Sequence, residues 1–212
     1  MKIAIIGSGN VGKALAGSAT KAGHSVSIAA SDPRHAEAAA TATGAHAVRS
    51  NQDAVKDAEL VLIAVPAARV DEVVDELAPQ LGGKIVVDVT NRVDPQNPEK
   101  VLDGSSTAER IQKRVPNAHV VKAFNYAFAS KMADPKVGGT NLDAYVAGDD
   151  EESKRRVEEF AKSIGFRPID AGPLSMARAL EGMALLNILL QIKHKWPWQS
   201  GWKMVGPTGE GG

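Results

Sequence analysis

The first twelve residues constrain the fold more than any other part of the chain. The run Lys2–Gly7 is short and apolar, and the glycine turn Gly7–Gly12 follows it directly, before a segment that favours a helix. A buried strand, a glycine turn and a helix N-terminus in this order are what a dinucleotide site requires. Gly7 permits the tight turn, Gly9 lets the backbone approach a pyrophosphate, and Gly12 lets the helix pack close to the strand. The free N–H groups of the first helical turn then hold the phosphates. The pattern also fits a strand-to-helix turn that binds no ligand.

Length and charge limit the function classes. The 212 residues allow one large domain, or one domain and a small appendage. Lys plus Arg (25) equals Asp plus Glu (25), so nothing indicates binding to nucleic acid or to an anionic membrane. The sequence has no Cys and five scattered His, which predicts neither a disulfide nor a metal site. Met1 leads directly into the first strand, and the longest apolar run is broken by Asn187. We therefore expect a cytoplasmic protein without a targeting or membrane segment.

Strand and helix patterns alternate along the chain. The predicted strands are 2–7, 25–30, 60–65, 84–89, 119–124, 143–148 and 167–170, and the predicted helices are 34–42, 70–81, 107–114, 151–163 and 175–192. This order predicts a Rossmann-type α/β fold, a doubly wound and mainly parallel sheet with a short C-terminal helical extension. Residues 1–170 would form the dinucleotide-binding domain. Residues 171–212 would complete the pocket with a helix and a tail that holds all three Trp. The end of the tail, 207–212, has the composition of a flexible terminus.

In such a sheet the ligand lies beyond the carboxyl ends of the strands, where the strand order reverses. The first five strands end in 7–12, 30–34, 65–69, 88–91 and 124–125, and we expect these segments to line one edge.

The end of the second strand bears on the choice of nucleotide. NAD sites usually place a carboxylate there, which would repel the 2′-phosphate of NADP, and Ala30 supplies none. Ser31 and Arg34 would offer a hydroxyl and a charged donor to that phosphate. Asp32 would favour NAD if it faced the ribose, whereas it would favour neither nucleotide if it only capped the next helix. We favour the cap, and NADP over NAD.

Several short patterns identify a family. The chain resembles the NADPH-dependent reductases of the deazaflavin coenzyme F420, the F420:NADP oxidoreductases. It is also similar to the cytoplasmic reductase domain of the STEAP-type ferric reductases. The resemblance covers about residues 1–192 and is carried by the segments 5–12, 65–66, 89–91, 121–125, 148–150 and 168–178.

The resemblance implies a set of binding residues. Ser8, Gly9, Asn10 and Val11 would cradle the pyrophosphate between Gly7 and Gly12. The members of the expected pocket further along the chain are Val65, Pro66, Ala67 and Arg69 on the adenosine or phosphate side, Thr90, Asn91, Phe124 and Asn125 near the nicotinamide, and a closing turn at Gly172–Leu174. The chain departs from the family at Ser31, where an Arg for the 2′-phosphate is usual, and at Ala30, where Ser or Asn is usual.

The implied reaction is hydride transfer between NADPH and a deazaflavin, which requires two stacked rings and no strongly basic residue. Catalytic residues are therefore not assigned. Asn91 and Asn125 would orient ring edges, or they would satisfy loop backbone groups. We expect Lys122 to be a solvated or sheet-end charge.

Near the C-terminus, Arg178 would either contact a ligand or pair with Glu181 three residues further along the helix. The apolar residues of the last helix (Leu185, Leu186, Leu189 and Ile192) predict a homodimer interface, with packing on the sheet as the alternative. The three Trp would cover the pocket mouth or a partner, although packing of the tail on the domain is favoured.

Other functions stay open. A 3-hydroxyacid dehydrogenase or imino-acid reductase shares such an N-terminal half, but it carries a large helical C-terminal domain. Here only one long helix is predicted after the last strand, so we do not expect small carbonyl or imine substrates. A flavin, a quinone or ferric iron would fit the same pocket as the small-molecule redox partner. An NADPH-binding sensor without turnover is the non-enzymatic alternative.

Overall fold

An eight-stranded sheet forms the centre of the protein. The computed structural model describes residues 1–206 and residue 208. The strands of this sheet are β1 (Lys2–Ile6), β2 (Ser25–Ala29), β3 (His46–Ala47), β4 (Leu60–Ile63), β5 (Ile85–Asp88), β6 (His119–Lys122), β9 (Asp143–Gly148) and β10 (Arg167–Gly172). Their spatial order is β10-β9-β6-β5-β4-β1-β2-β3. A small hairpin, β7 (Lys136–Val137) and β8 (Thr140–Asn141), lies apart from this sheet.

Strand direction changes once in the sheet. The strands β1 to β6 are all parallel, which requires crossover connections. The connection after β6 holds only a short helix and the β7-β8 hairpin, and β9 returns antiparallel to β6, with β10 parallel to β9. The predicted mainly parallel, Rossmann-type sheet is confirmed.

Nine helices are found in the part of the chain that the structure describes. They are α1 (Asn10–Lys21), α2 (Pro33–Thr43), α3 (Asn51–Val55), α4 (Val70–Leu81), α5 (Pro98–Leu102), α6 (Thr107–Arg114), α7 (Ala129–Ala133), α8 (Glu151–Ser163) and α9 (Ala177–His194). The bounds predicted for α4, α6 and α8 are confirmed. Local capping helps to fix two of them, since Ser106 and Glu109 form a capping box at α6 and Asp150 caps α8.

The central strands are buried on both faces. In β1, Ile3 and Ile5 pack into one apolar cluster, whereas Ala4 and Ile6 pack into a second cluster on the opposite face. This alternation follows from the two-residue period of a strand, and burial of both faces explains why the sequence of β1 is a continuous apolar run. No helix among residues 1–206 and 208 is long and apolar enough to cross a membrane.

The Trp-rich tail returns to the domain. Asp143, at the start of β9, donates its backbone N–H to the carbonyl of Trp202, and its carboxylate accepts from Arg167 and Lys203. Burial raises the pKa of Asp143, but hydrogen bonds beginning with that from Arg167 overcome this and hold the pKa below its usual range. Trp202 packs against the apolar cluster that contains Tyr126 and Tyr145. The expected packing of the tail is confirmed, whereas the flexible end predicted for 207–212 lies outside the described residues except for residue 208.

Candidate dinucleotide-binding site

The parallel strands bring their carboxyl ends to one edge of the sheet, as predicted. A cavity of about 590 Å³ opens there beyond the ends of β1, β2, β3 and β4. It lies where the strand order reverses, because β2 flanks β1 on one side and β4 flanks it on the other. The predicted site residues among those that line it are Gly7, Ser8, Gly9, Ser31, Val65, Pro66 and Arg69.

The glycine turn is shaped by close backbone contacts. Gly7 has φ +115°, and a Cβ there would lie 2.3 Å from the carbonyl oxygen of Ala64. A Cβ on Gly12 would lie 2.0 Å from the carbonyl oxygen of Gly7, so only glycine allows α1 to approach the turn this closely. A Cβ on Gly9 would meet nothing within 4 Å. The turn therefore has the tight bend, the close helix packing and the open approach to the backbone that the sequence predicts.

The N-terminus of α1 is available to an anion. No side chain caps it, and its first turn carries no acidic residue. Uncapped N–H groups at the positive end of a helix dipole favour a phosphate. Gly12 is buried in the close contact with Gly7, while Asn10 and Val11 belong to the first turn of α1 itself. The residues of the turn thus fit a pyrophosphate, with backbone N–H groups as the donors.

At the end of β2, Asp32 and Arg34 bind each other. The Asp32 carboxylate accepts the Arg34 backbone N–H at 2.9 Å, which caps α2, and the Arg34 guanidinium donates to the same carboxylate at 2.7 Å. The hydrogen bonds from Arg34 hold the pKa of Asp32 below its usual range. The predicted cap is confirmed. The expected contact of Arg34 with a phosphate is not favoured, because its guanidinium is paired and the residue does not line the cavity.

The segment after β4 approaches the cavity from the other side. Pro66 precedes a single 3-10 turn, Ala67–Arg69, and Val65, Pro66 and Arg69 line the cavity whereas Ala67 does not. Arg69 donates to Glu72 on α4 at 2.8 Å, and both side chains are largely exposed.

Sequence reasoning missed one wall of the cavity. His35 from α2, Arg49 and Ser50 from the segment after β3, and Asn51 at the start of α3 all line it, together with Glu72, Val73 and Glu76 of α4. The residues after β3 were missed because β3 has only two residues and α3 only five, which is too short for a periodic signal. The sequence predicts α4 from its apolar spacing. The carboxylates between those apolar positions, Glu72 and Glu76, are the signal that could have assigned this helix to the cavity wall.

Further along the same edge, Asn91 and Asn125 are paired. The Asn125 side-chain amide donates to Asn91 Oδ1 at 2.8 Å and to the carbonyl of Leu180 at 3.0 Å, while the Asn91 amide donates to the backbone carbonyl of Asn125. Asn125 Oδ1 is buried and has no partner among the described residues. The Asn91 amide therefore satisfies a loop carbonyl, one of the two alternatives that the sequence left open, and the pair joins the loops after β5 and β6 to α9.

Phe124 turns the chain at the end of β6. Its φ is +64°, and its ring is fully buried against Phe160 and Phe166 at centroid distances of 5.7 and 5.8 Å. The ring lies in the core, so any contact of Phe124 with a ligand is limited to its backbone.

Lys122 is the centre of a buried ionic cluster, and the expectation of a solvated charge is wrong. Its fully buried ammonium donates to Asp88 at 2.8 Å, to the Thr90 carbonyl at 2.7 Å and to Glu181 at 3.1 Å. The Thr90 hydroxyl and backbone N–H both donate to Asp88, at 2.7 and 2.9 Å, so the hydroxyl, N–H and carbonyl of Thr90 are all engaged in this cluster. The cluster fixes the loop after β5 between β6 and α9.

Glu181 ties the cluster to two further segments. It accepts from Arg92 at 2.9 Å and from the backbone N–H of Thr107 at 2.8 Å. Burial raises the pKa of Glu181, but the facing Lys122 ammonium and the other donors lower it below its usual range. The sequence-based pairing of Arg178 with Glu181 is wrong, because Arg178 binds Glu109 of α6 at 2.7 Å instead. That guanidinium lowers the pKa of Glu109 to about 2.

The turn Gly172–Leu174 does not line the cavity. The N–H of Leu174 donates to Asp149 at 2.8 Å, and the Leu174 side chain is buried in the core. The turn leads directly into α9, which carries Glu181.

Comparison with known proteins places this geometry in context. Residues 2–92 match a family model described as NADP oxidoreductase, coenzyme F420-dependent. The chain is 30% identical over 217 residues to the F420-dependent NADP reductase of Methanothermobacter marburgensis, and the match covers 92% of this chain and 94% of that protein. It is 34% identical over 185 residues to metalloreductase STEAP3 of Rattus norvegicus, covering 87% of this chain and 36% of the relative. The chain thus spans about a third of the length of that metalloreductase.

A solved structure agrees over nearly the whole chain. It is a protein of Arthrobacter sp. FB24, described as a candidate F420-dependent NADP reductase. It superimposes with a TM-score of 0.85 at 31% identity, covering 97% of this chain and 100% of that one.

Proposed function

Because the chain belongs to the family of coenzyme F420-dependent NADP oxidoreductases, we propose that it transfers a hydride between NADP(H) and the deazaflavin coenzyme F420. Membership makes it an NADP-dependent oxidoreductase, and the acceptor is the proposed part. The observation that supports nucleotide binding is the glycine turn that lines the cavity, followed by a helix N-terminus without a side-chain cap. The choice of F420 as the acceptor is supported by the family.

The chain's own residues would bind and orient the two reactants. The glycine turn would hold the pyrophosphate, the 590 Å³ cavity would hold the adenosine half, and the loops after β5 and β6 would support the nicotinamide half. The nicotinamide supplies the hydride chemistry when it is bound. Lys122 is fully engaged by buried partners, and Tyr126 is buried with its pKa raised by desolvation, so neither is available as a proton donor. A proton for the acceptor would come from water.

Turnover tests the acceptor. Purified protein and NADPH are mixed in parallel with F420, FMN, a quinone and a ferric chelate, and the loss of reduced nicotinamide absorbance is followed. Oxidation with F420 well above that with the other acceptors supports the proposal. Binding of NADPH without oxidation by any acceptor would overturn it in favour of an NADPH sensor.

Reduction of flavin or ferric iron is the second candidate, and the similarity to metalloreductase STEAP3 favours it. Oxidation of NADPH by the ferric chelate only when FMN is also present would identify this function, with free flavin as the relay.

A glycine variant tests the binding geometry separately from the acceptor. In Gly9→Val the new side chain meets no protein atom within 4 Å at its Cβ, so it should fill the space of the pyrophosphate without harming the fold. Gly82→Val is the matched control, because Gly82 also has open space at its Cβ and a negative φ, at the end of α4. We expect loss of NADPH binding by calorimetry in Gly9→Val alone. Equal affinity in the two variants would contradict the assigned phosphate site.

We also propose a homodimer through α9. Leu186 and Ile192 are about half exposed (49% and 51%) and Leu189 is partly exposed, whereas Leu185 is buried within the chain and does not contribute to this face. Light scattering after gel filtration tests this state. A monomer at micromolar concentration would reject it.

A further inference from the structure

The end of β2 offers no free cation to the cavity. In dinucleotide sites of this fold the adenosine ribose lies near the end of the second strand. Here Ala30 and Ser31 line the cavity at that end, while the nearby guanidinium of Arg34 is paired with Asp32. A phosphate on the ribose carries up to two negative charges and needs a charged donor from another element.

The edge strand β3 supplies one. Its register with β2 pairs Ile28 with Ala47, and the Val48 N–H donates to the Ile28 carbonyl at 3.1 Å. Carried two residues beyond the paired strands, the same offset would bring Arg49 level with Ala30, and both residues line the cavity. Arg49 therefore enters the cavity wall next to the end of β2, and it lines the same cavity as Ser31.

Arg49 is also uncommitted. It makes no ion pair or hydrogen bond through its side chain within residues 1–206 and 208, whereas every other arginine there binds a carboxylate. Its side chain is exposed to the cavity and to solvent. An unpaired guanidinium is the group best suited to bind a phosphate, because its planar donors match two phosphate oxygens at once.

The other charges of the cavity do not replace it. Arg69 is neutralised by Glu72 at 2.8 Å, and Glu76 accepts from the Asn51 side chain at 3.1 Å. His35 lines the cavity from α2 as a further donor. Arg49 is thus the arginine of the described cavity wall whose charge is not offset by a contact.

We propose that Arg49 binds the 2′-phosphate of the NADP(H) adenosine ribose and is the residue that selects NADP over NAD. This inference rests on the proposed function of the cavity. It assigns the selecting charge to the segment after β3 in place of the residues that follow β2.

Binding of oxidised nucleotides by calorimetry tests the proposal without any acceptor. Arg49→Gln keeps a polar side chain and removes the charge, and we expect at least tenfold weaker binding of NADP⁺ (about 1.4 kcal/mol) with less than a twofold change for NAD⁺. Arg155→Gln, on the exposed surface of α8, is the matched control for the loss of one charge. Adenosine 2′,5′-bisphosphate should follow NADP⁺ in each variant, since it carries the same phosphate.

A double variant tests the rival position. Asp32→Asn with Arg34→Gln removes the ion pair, leaves the net charge unchanged and keeps a residue that caps helices well. We expect its NADP⁺ affinity to stay within about threefold of the parent protein.

Each outcome has a defined meaning. Equal weakening of NADP⁺ and NAD⁺ in Arg49→Gln, or no weakening of either, would overturn the role of Arg49 and leave the proposed function intact. An effect in the double variant as large as that in Arg49→Gln would move the role to Arg34. Absence of binding of both nucleotides to the parent protein would overturn the proposed function itself. Because the exposed Arg49 side chain has no ion pair or hydrogen bond among the described residues, the unfolding midpoint of Arg49→Gln should equal that of the parent.

Discussion

Replacing Lys122 by Met should destabilise the protein strongly, although the new side chain is apolar and of similar length. The buried cluster is neutral, with Lys122 and Arg92 facing Asp88 and Glu181. Removing the ammonium leaves one net negative charge buried. Asp88 still accepts from Thr90, and Glu181 still accepts from Arg92, so each carboxylate keeps donors but loses its shared cation.

Breaking a buried ion pair from one side costs about 3–5 kcal/mol. That is a large part of the roughly 5–15 kcal/mol by which folded proteins are usually stable. With a urea dependence of about 3 kcal/mol per molar, the unfolding midpoint should fall by roughly 1–2 M. Urea titrations followed by circular dichroism measure this shift.

The control is Lys56→Met, an exposed lysine whose side chain has no ion pair in the described structure. It should change the free energy of unfolding by less than about 0.5 kcal/mol. Adding Glu181→Gln to Lys122→Met restores neutrality, so the double variant should lose less stability than the sum of the two single variants. Strict additivity, or a Lys122→Met midpoint equal to that of the control, would refute the assignment of a coupled buried cluster.

Three further changes follow from the same contacts. Since Arg178 lowers the pKa of Glu109 to about 2, this pair stabilises the protein above the ordinary pKa of 4.5 and its contribution is lost as the pH falls towards 2. Solvent around the half-exposed Arg178 keeps this contribution small, and the unfolding midpoint of Glu109→Gln, measured against pH, should lack this part of the pH dependence. Gly12→Ala should cost about 1–3 kcal/mol by thermal unfolding, because its Cβ would overlap the Gly7 carbonyl; an unchanged melting temperature would contradict the close packing. Asp32→Ala should lower the free energy of unfolding by about 1 kcal/mol because the α2 cap is lost, whereas Asp32→Asn should keep most of that stability because Asn also caps helices.

The sequence predicted those parts of the fold whose signals are local and long enough to read. The helix at Val70–Leu81 has five buried apolar residues at helical spacing, and Thr107–Arg114 is preceded by a capping serine. The strands β1 and β4 are continuous apolar runs because both of their faces are covered by helices. The glycine turn could be interpreted residue by residue, because Gly7 and Gly12 each meet a separate steric demand of the backbone and Gly9 leaves open space beside the turn.

The ion pairs could not be predicted from local sequence patterns. Lys122 looks like a strand-end charge because its partner Glu181 is 59 residues away in the sequence. Helical spacing made Arg178 and Glu181 seem natural partners, yet the helix turns Glu181 inward to Lys122 and Arg178 outward to Glu109. Spacing along a helix identifies residues that are able to form an ion pair, and tertiary packing determines which ion pairs form.

The cavity wall after β3 shows the same limit and has a consequence for nucleotide selection. Among the described strands β3 lies at the edge of the sheet beside β2, and the exposed Arg49 that follows it has no ion pair or side-chain hydrogen bond with a described residue. Ala30, at the end of β2, lines the same cavity. Because Arg49 is exposed at the cavity wall, a positive charge at position 49 requires no repacking of the core. If Arg49 selects NADP over NAD, the selecting residue lies where the sequence pattern is weakest. An exposed residue after a two-residue edge strand belongs to no periodic apolar pattern, so the sequence gives no signal for it.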